Sequence, residues 1–348
     1  MAKRSDSPVN QLDRAVEALM TNRDAPLPRV SAPIRAMLEI AAELRDLPRD
    51  SFKARLRSQL LAASGQSEGG KALITMEDIE QRLAEMESEP KMVPHNVAAA
   101  LRELPEMSMR FIAPMGEYIL IASGGSSPSH WERHQGDELL YVLEGSTDIK
   151  IATGDGIKTT RLDEGSLFVC PEGFWHQLVP HGRMNAFYAT PKKTEGSATK
   201  NPPRAAEKLK KLSRKRLTPI DLSATIGELK ELKITDRTTA KEANEASHTV
   251  AEMGERTLGM MRFCGLTPWE RHGADELLYA LEGAVDVTTL TASGPVHRRV
   301  NAGSFLICPE NLWHRQRAEE SVTILYGTPT KTSEHSFAED PRNQGEPS

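Results

Sequence analysis

Two patterns of apolar spacing divide the chain. Up to about residue 100 the apolar positions recur at three- and four-residue intervals, as on one face of a helix. In "APIRAMLEIAAELRDL", preceded by Ser31, the stripe is Ile34, Met37, Leu38, Ala41 and Leu44. "DSFKARLRSQLLAA" follows Pro48 with Asp50 or Ser51 as a cap, and "TMEDIEQRLAEM" opens on Thr75 and Asp78 in the manner of a capping box. The intervening "SGQSEGG" reads as a flexible loop. From about Arg102 the pattern changes to short apolar runs bounded by turn residues, which predicts strands. The expected order is a helical region over 1–98, a β-domain over 99–195, a basic linker over 196–236, a second β-domain over 237–334 and a loose tail over 335–348.

The two β-domains are copies of each other. Shifting the chain by 138 positions lays Trp131–Pro191 on Trp269–Pro329 without a gap, and roughly 26 of the 61 positions are identical. "WERHQGDELLYVLEG" falls on "WERHGADELLYALEG", and upstream "MGE" at Met115 falls on "MGE" at Met253. The stretch between the copies contains "RAAEKLKKLSRKR", which reads as a solvated linker helix, with a basic arm for an acidic partner as the alternative.

Composition narrows the classes. With 38% hydrophobic and 27% charged residues the chain is that of a globular protein with real cores. A net charge of −5, and no helix-turn-helix signature or basic reading face, argue against a nucleic-acid partner. No run approaches membrane-spanning length and the N-terminus lacks a secretory apolar core, so the expectation is a cytoplasmic protein without a membrane partner. Three cysteines, an odd count without a CxxC, argue against a disulfide framework or a zinc knuckle.

The chemistry lies in the repeat. Copy one carries Glu132, His134, Glu138 and His176; copy two carries Glu270, His272, Glu276 and His314 at the same offsets. Residues two apart on a strand share a face, so Glu132 and His134 point inward together. Glu138 begins the next strand with inward parity, and His176 arrives on a later one. Two imidazoles with one or two carboxylates inside a small β-barrel suit iron, manganese or zinc.

These spacings resemble the cupin superfamily, whose double-stranded β-helix is a jelly-roll barrel. His134-x3-Glu138-x6-Gly145 and His272-x3-Glu276-x6-Gly283 match the second half of the first cupin motif, G-x5-H-x-H-x3,4-E-x6-G. Gly165-x5-Pro171-x-Gly173-x2-His176 matches the second motif, G-x5-P-x-G-x2-H-x3-N, apart from its last residue. In copy two Gly303, Pro309 and His314 match and Asn311 replaces the inner Gly. The resemblance implies two tandem cupin barrels after an α-helical N-terminal region. It departs from the family where Glu132 and Glu270 stand at the first His of H-x-H.

Two site readings follow. In one, Glu132 and Glu270 join the metal ligands. In the other, slightly favoured, His134, Glu138 and His176 (and His272, Glu276 and His314) form a two-His-one-carboxylate triad, and the extra glutamates support the ligands from behind or act as general bases. The triad suits Fe(II), and the resemblance to ring-cleaving bicupins implies a dioxygenase acting on a small aromatic or carboxylate-bearing metabolite. The alternatives are a manganese or zinc lyase, decarboxylase or isomerase, and a non-enzymatic metabolite-binding or assembly protein. Self-association into a homo-oligomer is left open.

Trp175 and Trp313, at the barrel mouth just before the third candidate ligand, are candidates to stack on an aromatic substrate. Trp131 and Trp269 fall on the opposite face from their neighbouring glutamates and are expected to pack in the barrel. Cys170 and Cys308 are expected to be buried structural thiols. Arg133 and Arg271 point away from the site by parity and should pair with acidic neighbours. His130 shares parity with Glu132, but its counterpart is Pro268.

Overall fold

The computed structural model describes residues 92–102, 104, 108–203, 217–331 and 333–343. The chain divides into two compact units, Met1–Asp78 and Ile79–Ser348, and every described residue belongs to the second. The helices expected before residue 91 and the basic stretch 204–216 lie outside the described residues. Among the described residues no helix is long and apolar enough to cross a membrane.

Strands dominate. In chain order the first set is β1 (His95–Asn96), helix α1 (Val97–Arg102), β2 (Ser108–Met115), β3 (Tyr118–Gly125), β4 (Trp131–His134), β5 (Glu138–Glu144), β6 (Ser146–Thr153), β7 (Gly156–Asp163), β8 (Ser166–Cys170), β9 (His176–Pro180), β10 (Met184–Pro191) and β11 (Thr194–Ser197). The second set is β12 (Ile220–Asp221), α2 (Leu222–Glu228), β13 (Glu231–Ile234), α3 (Ala240–Ala246), β14 (Ser247–Met253), β15 (Arg256–Leu266), β16 (Trp269–His272), β17 (Glu276–Glu282), β18 (Ala284–Thr291), β19 (Gly294–Asn301), β20 (Ser304–Cys308), β21 (His314–Pro329) and β22 (Ser333–Ser336). A short 3-10 turn follows at Pro341–Asn343, within the stretch expected to be a loose tail.

The first barrel is a pair of antiparallel sheets, β12-β8-β5-β10-β3-β2 and β11-β4-β9-β6-β7. In the second barrel one sixteen-residue strand, β21, covers the span shared by β9 and β10 in the first. It pairs with β15, β16, β17 and β18, so the two faces join into a single eleven-stranded sheet. Alternation places the cores: in β6 ("STDIKIAT") Thr147, Ile149 and Ile151 point inward, and in β18 ("AVDVTTLT") Val285, Val287 and Thr289 do. Separate buried clusters fill each barrel, around Leu140, Ile149 and Phe168 in the first and Leu278, Val287 and Leu306 in the second.

A third, larger cluster joins the barrels and includes Met115, Leu120, Phe187, Met253, Tyr279 and Phe305. Tyr141 and Tyr279, equivalent under the 138-residue shift, meet edge to face with centroids 6.1 Å apart. An isologous contact, in which i meets j and j meets i, marks a two-fold axis, and the reciprocal bonds beside this pair place a pseudo-two-fold axis there. The axis explains two repeated motifs at once. Gly254 N–H, in the second "MGE", donates to Asp137 Oδ2 (3.1 Å), and Gly116 N–H, in the first, donates to Asp275 Oδ2 (3.0 Å). The Asp before each candidate ligand therefore binds the turn of the opposite barrel.

The segments that precede each barrel also cross over. β1 pairs with β20 of the second barrel (His95 with Phe305, Asn96 with Ser304), and β12 pairs with β8 of the first (Ile220 with Leu167, Asp221 with Ser166). Val97 N–H donates to Gly303 O and Leu222 N–H to Gly165 O, both at 3.0 Å. Asn96 and Asp221 then cap the following helices through Ala99 N–H (2.7 Å) and Ala224 N–H (3.0 Å). These crossing segments repeat at 125 residues rather than 138.

Candidate metal centres

The turn after each "LEG" fixes the strand that follows the ligands. Gly145 (φ 79°) and Gly283 (φ 73°) adopt left-handed backbone, and a Cβ there would lie 2.3 Å from Arg183 O or 2.4 Å from Ser321 O. Gly173 (φ 80°) and Asn311 (φ 61°) also share one left-handed turn, a conformation that Asn tolerates best among residues with a Cβ. Their N–H groups donate to His134 O (3.0 Å) and His272 O (2.7 Å), tying the second motif to the ligand strand. The exchange of Gly for Asn in copy two is thus conformationally neutral.

In the first barrel β4, β5 and β9 bring four side chains together. His134 Nε2 lies 3.3 Å and His176 Nε2 3.1 Å from Glu138 Oε2, and Glu132 Oε1 lies 3.7 Å from His176 Nε2. In the second, His272 Nε2 and His314 Nε2 lie 3.5 and 2.9 Å from Glu276 Oε2 and 3.9 and 3.5 Å from the two oxygens of Glu270. His134, Glu138, His176, His272, Glu276 and His314 are all buried, while Glu132 and Glu270 are half-buried. All eight expected residues are therefore gathered, four to a barrel. His130 is exposed and lies outside both groups.

The outer nitrogens are committed to hydrogen bonds. Thr194 hydroxyl donates to Pro191 O (2.9 Å), so at 2.8 Å from His134 Nδ1 it accepts that ring's N–H. His176 Nδ1 donates to Phe174 O and His314 Nδ1 to Leu312 O, each at 3.2 Å, because a carbonyl can only accept. Ser333 hydroxyl stands 2.9 Å from His272 Nδ1 in the place of Thr194. Each carboxylate is aimed in the same way: Thr190 hydroxyl donates to Glu138 Oε1 (2.5 Å), and Thr328 hydroxyl donates to Glu276 Oε1. The Oε2 atoms are left facing the rings.

A divalent ion fits this arrangement. His134 Nε2 and His272 Nε2 are buried without a hydrogen-bond partner, which costs about 1–3 kcal/mol for a group of this kind. Donors bound at about 2.0–2.2 Å to one ion stand about 3 Å apart when adjacent and about 4.2 Å apart when opposite. The observed separations of 2.9–3.9 Å lie inside that window. Outward partners on Nδ1 are the usual way a protein fixes the tautomer of a metal-binding imidazole.

Electrostatics divides the carboxylates. Burial acts to raise Glu138, but the imidazoles of His134 and His176 outweigh it and hold the group well below the ordinary carboxylate range. Glu276 is lowered in the same way by His272 and His314. Glu132 moves the other way, pushed up by burial and by the charge of Glu138. Burial disfavours the charged forms of His176 and His314, yet the carboxylates of Glu138, and of Glu270 and Glu276, keep both raised. The two thiols are buried and burial pushes them up, so they are held as neutral S–H groups rather than thiolates.

Trp175 is buried and packs with Trp131 and Ala152, and Arg133 sits 5.2 Å from its ring centroid. Arg271 sits 4.8 Å from the Trp313 ring. The faces expected to meet a substrate are in contact with guanidinium groups. Both arginines pair with acidic neighbours, Arg133 with Glu195 (2.6 Å) and Arg271 with Glu334 (2.7 Å). The supporting residues missed by sequence reasoning are Thr190, Thr194, Thr328, Ser333 and Gln316. Thr190 and Thr328 were visible as identities in the repeat; Thr194 and Ser333 align only at an offset of 139.

Residues 117–188 match the cupin domain family. No curated protein matches the sequence. Among solved structures the chain is similar to a salicylate 1,2-dioxygenase variant of Pseudoaminobacter salicylatoxidans in complex with gentisate, at 12% identity and a TM-score of 0.50, over 78% of this chain and 98% of that one. It is also similar to a cupin 2 conserved barrel domain protein of Leptotrichia buccalis (12% identity, TM-score 0.47, 70% and 98% of the chains). A variant of Bacillus subtilis oxalate decarboxylase matches at 12% identity and a TM-score of 0.44, over 78% and 88% of the chains. The described strands form a tandem pair of jelly-roll barrels; the cupin domain match lies in the first of them, and the likeness to the dioxygenase structure is one of fold.

Proposed function

We propose that the chain is a metal-dependent bicupin enzyme acting on a small aromatic or carboxylate-bearing metabolite, with iron as the first-choice metal. The observation that carries the reading is the pair of buried Nε2 atoms, His134 and His272, that make no hydrogen bond and each stand within 3.5 Å of a carboxylate that a threonine holds in place. His134, Glu138 and His176, and their equivalents His272, Glu276 and His314, supply two imidazoles and one carboxylate each, the set that non-haem iron oxygenases use. A bound ion of this kind supplies Lewis acidity and a route for dioxygen to react with substrate held beside it. The chain's own residues do the rest. Thr194 and Ser333 orient their imidazoles, Thr190 and Thr328 aim the carboxylates, and the apolar barrel lining excludes water.

The position of Glu132 favours a second reading, a manganese- or zinc-dependent lyase, decarboxylase or isomerase. Its side chain is 31% exposed at the edge of the cluster and 3.7 Å from His176, where it can take up or deliver a proton. Elemental analysis of the purified chain tests the common ground, with near-stoichiometric transition metal expected. Its absence would contradict both readings. Turnover that requires dioxygen supports the first reading, and anaerobic turnover supports the second.

A further inference from the structure

The two centres share one backbone frame, and their differences gather around the first glutamate. Leu178 N–H donates to Ser129 hydroxyl (3.0 Å) and Ser129 N–H to Leu178 O (2.9 Å). At the equivalent place Gln316 N–H donates to Thr267 hydroxyl (2.8 Å) and Thr267 N–H to Gln316 O (2.9 Å). The frame is matched, but the side chains are not. Gln316 Nε2 donates to Glu270 Oε1 (3.2 Å), whereas among the described residues no hydrogen bond reaches the Glu132 carboxylate. Across the sheet His335 stands opposite Glu270, with its Nε2 4.0 Å from Oε2, and Gly196 stands opposite Glu132.

The consequence is visible in the donor sets. In the second barrel Glu270, His272, Glu276 and His314 each offer an atom within 4.8 Å of all the others. In the first barrel Glu132, His134 and His176 form such a set, and Glu138, 3.3 and 3.1 Å from the same two rings, stands outside it, so the two carboxylates do not close on one point. Glu270 reaches both histidines and is 19% exposed, against 31% for Glu132. Gln316 is buried and its Oε1 has no hydrogen-bond partner, a cost that packing alone would avoid with a leucine, the residue found at 178. Only the amide N–H₂ can face an ionised carboxylate, so the group's orientation follows from Glu270 itself. A carboxylate already held beside the donors loses less freedom when an ion binds.

We infer that the second barrel holds its metal with four residues, Glu270, His272, Glu276 and His314, and the first with three, His134, Glu138 and His176, and that Gln316 is the positioning residue that makes the second site the tighter one. This rests on the metal-binding reading above. The test is titration of the metal-free full-length chain with Mn²⁺ against a chromophoric chelator. Wild type should show two classes of site, and His314→Ala, not His176→Ala, should remove the tighter one. Gln316→Leu should weaken the tight class about 10–100-fold and leave the other unchanged, and Leu178→Gln should tighten the weaker class. Gln316→Met keeps the length without the amide, and should behave as Gln316→Leu if the hydrogen bond is what matters. Two equal classes in wild type, or a tight class unmoved by both Gln316 variants, would overturn the inference. Wild type that binds no Mn²⁺, Fe²⁺ or Zn²⁺ would instead overturn the metal reading beneath it.

Discussion

Thr190 and Thr328 each contribute one hydroxyl, and each decides which oxygen of a buried glutamate faces two imidazoles. Replacing either with Val keeps the shape and removes the donor. The expected outcome is about a 10–100-fold loss of metal affinity in that barrel, measured by competition with a chelator, with little change in the far-ultraviolet circular dichroism. Equal affinity in wild type and both variants would remove the threonines from the site. At this scale the four clustered side chains of each barrel were legible as candidates because both copies repeat them at one offset and strand parity turns them inward. Gln316 was illegible for the opposite reason, since it sits where the copies differ. Ser333 and Thr194 were hidden by a one-residue slip after Pro329. Trp175 and Trp313 lie just before His176 and His314 in sequence, and a guanidinium group, of Arg133 and Arg271, faces each ring.

The elements that cross between barrels carry their own prediction. His95 in β1 packs 5.1 Å from the Phe305 ring, and burial lowers its pKa to about 4 from an ordinary 6.5. The folded chain thus refuses a proton that the unfolded chain accepts. Stability from this group is whole above pH 6.5 and is lost as pH falls toward 4, on the order of 2–3 kcal/mol in all. Denaturant unfolding at pH 7 and pH 4.5 should therefore show a smaller drop for His95→Leu than for wild type. Equal drops would mean that the His95 ring is not held neutral by the fold. The barrel strands were legible from alternation and turns. The crossing segments were not, because α3 and its neighbours lengthen the approach to the second barrel and move the repeat from 138 to 125 residues. A gapless shift sees only one offset at a time.

For the whole molecule, the repeat means a pseudo-two-fold pair sharing one apolar interface, with each Asp-Glu pair serving two purposes. Glu138 and Glu276 face the centres, while Asp137 and Asp275 bind the opposite barrel's turn. Asp275 also accepts from Glu310 N–H (3.0 Å), so Asp275→Ala strips two backbone donors of their acceptor. That should cost about 2–4 kcal/mol in chemical denaturation and loosen both barrels together. Independent unfolding of one barrel with the other unaffected would contradict a shared interface. The coupling places both centres on one rigid frame, and the central claim is that each centre holds an ion. Anomalous diffraction at the metal edge from metal-replete crystals tests it most directly. The expected result is one peak bounded by His134 Nε2, His176 Nε2 and Glu138 Oε2, and a second bounded by His272 Nε2, His314 Nε2, Glu276 Oε2 and the Glu270 carboxylate. Crystals of the metal-replete chain with no peak in either barrel would contradict the account.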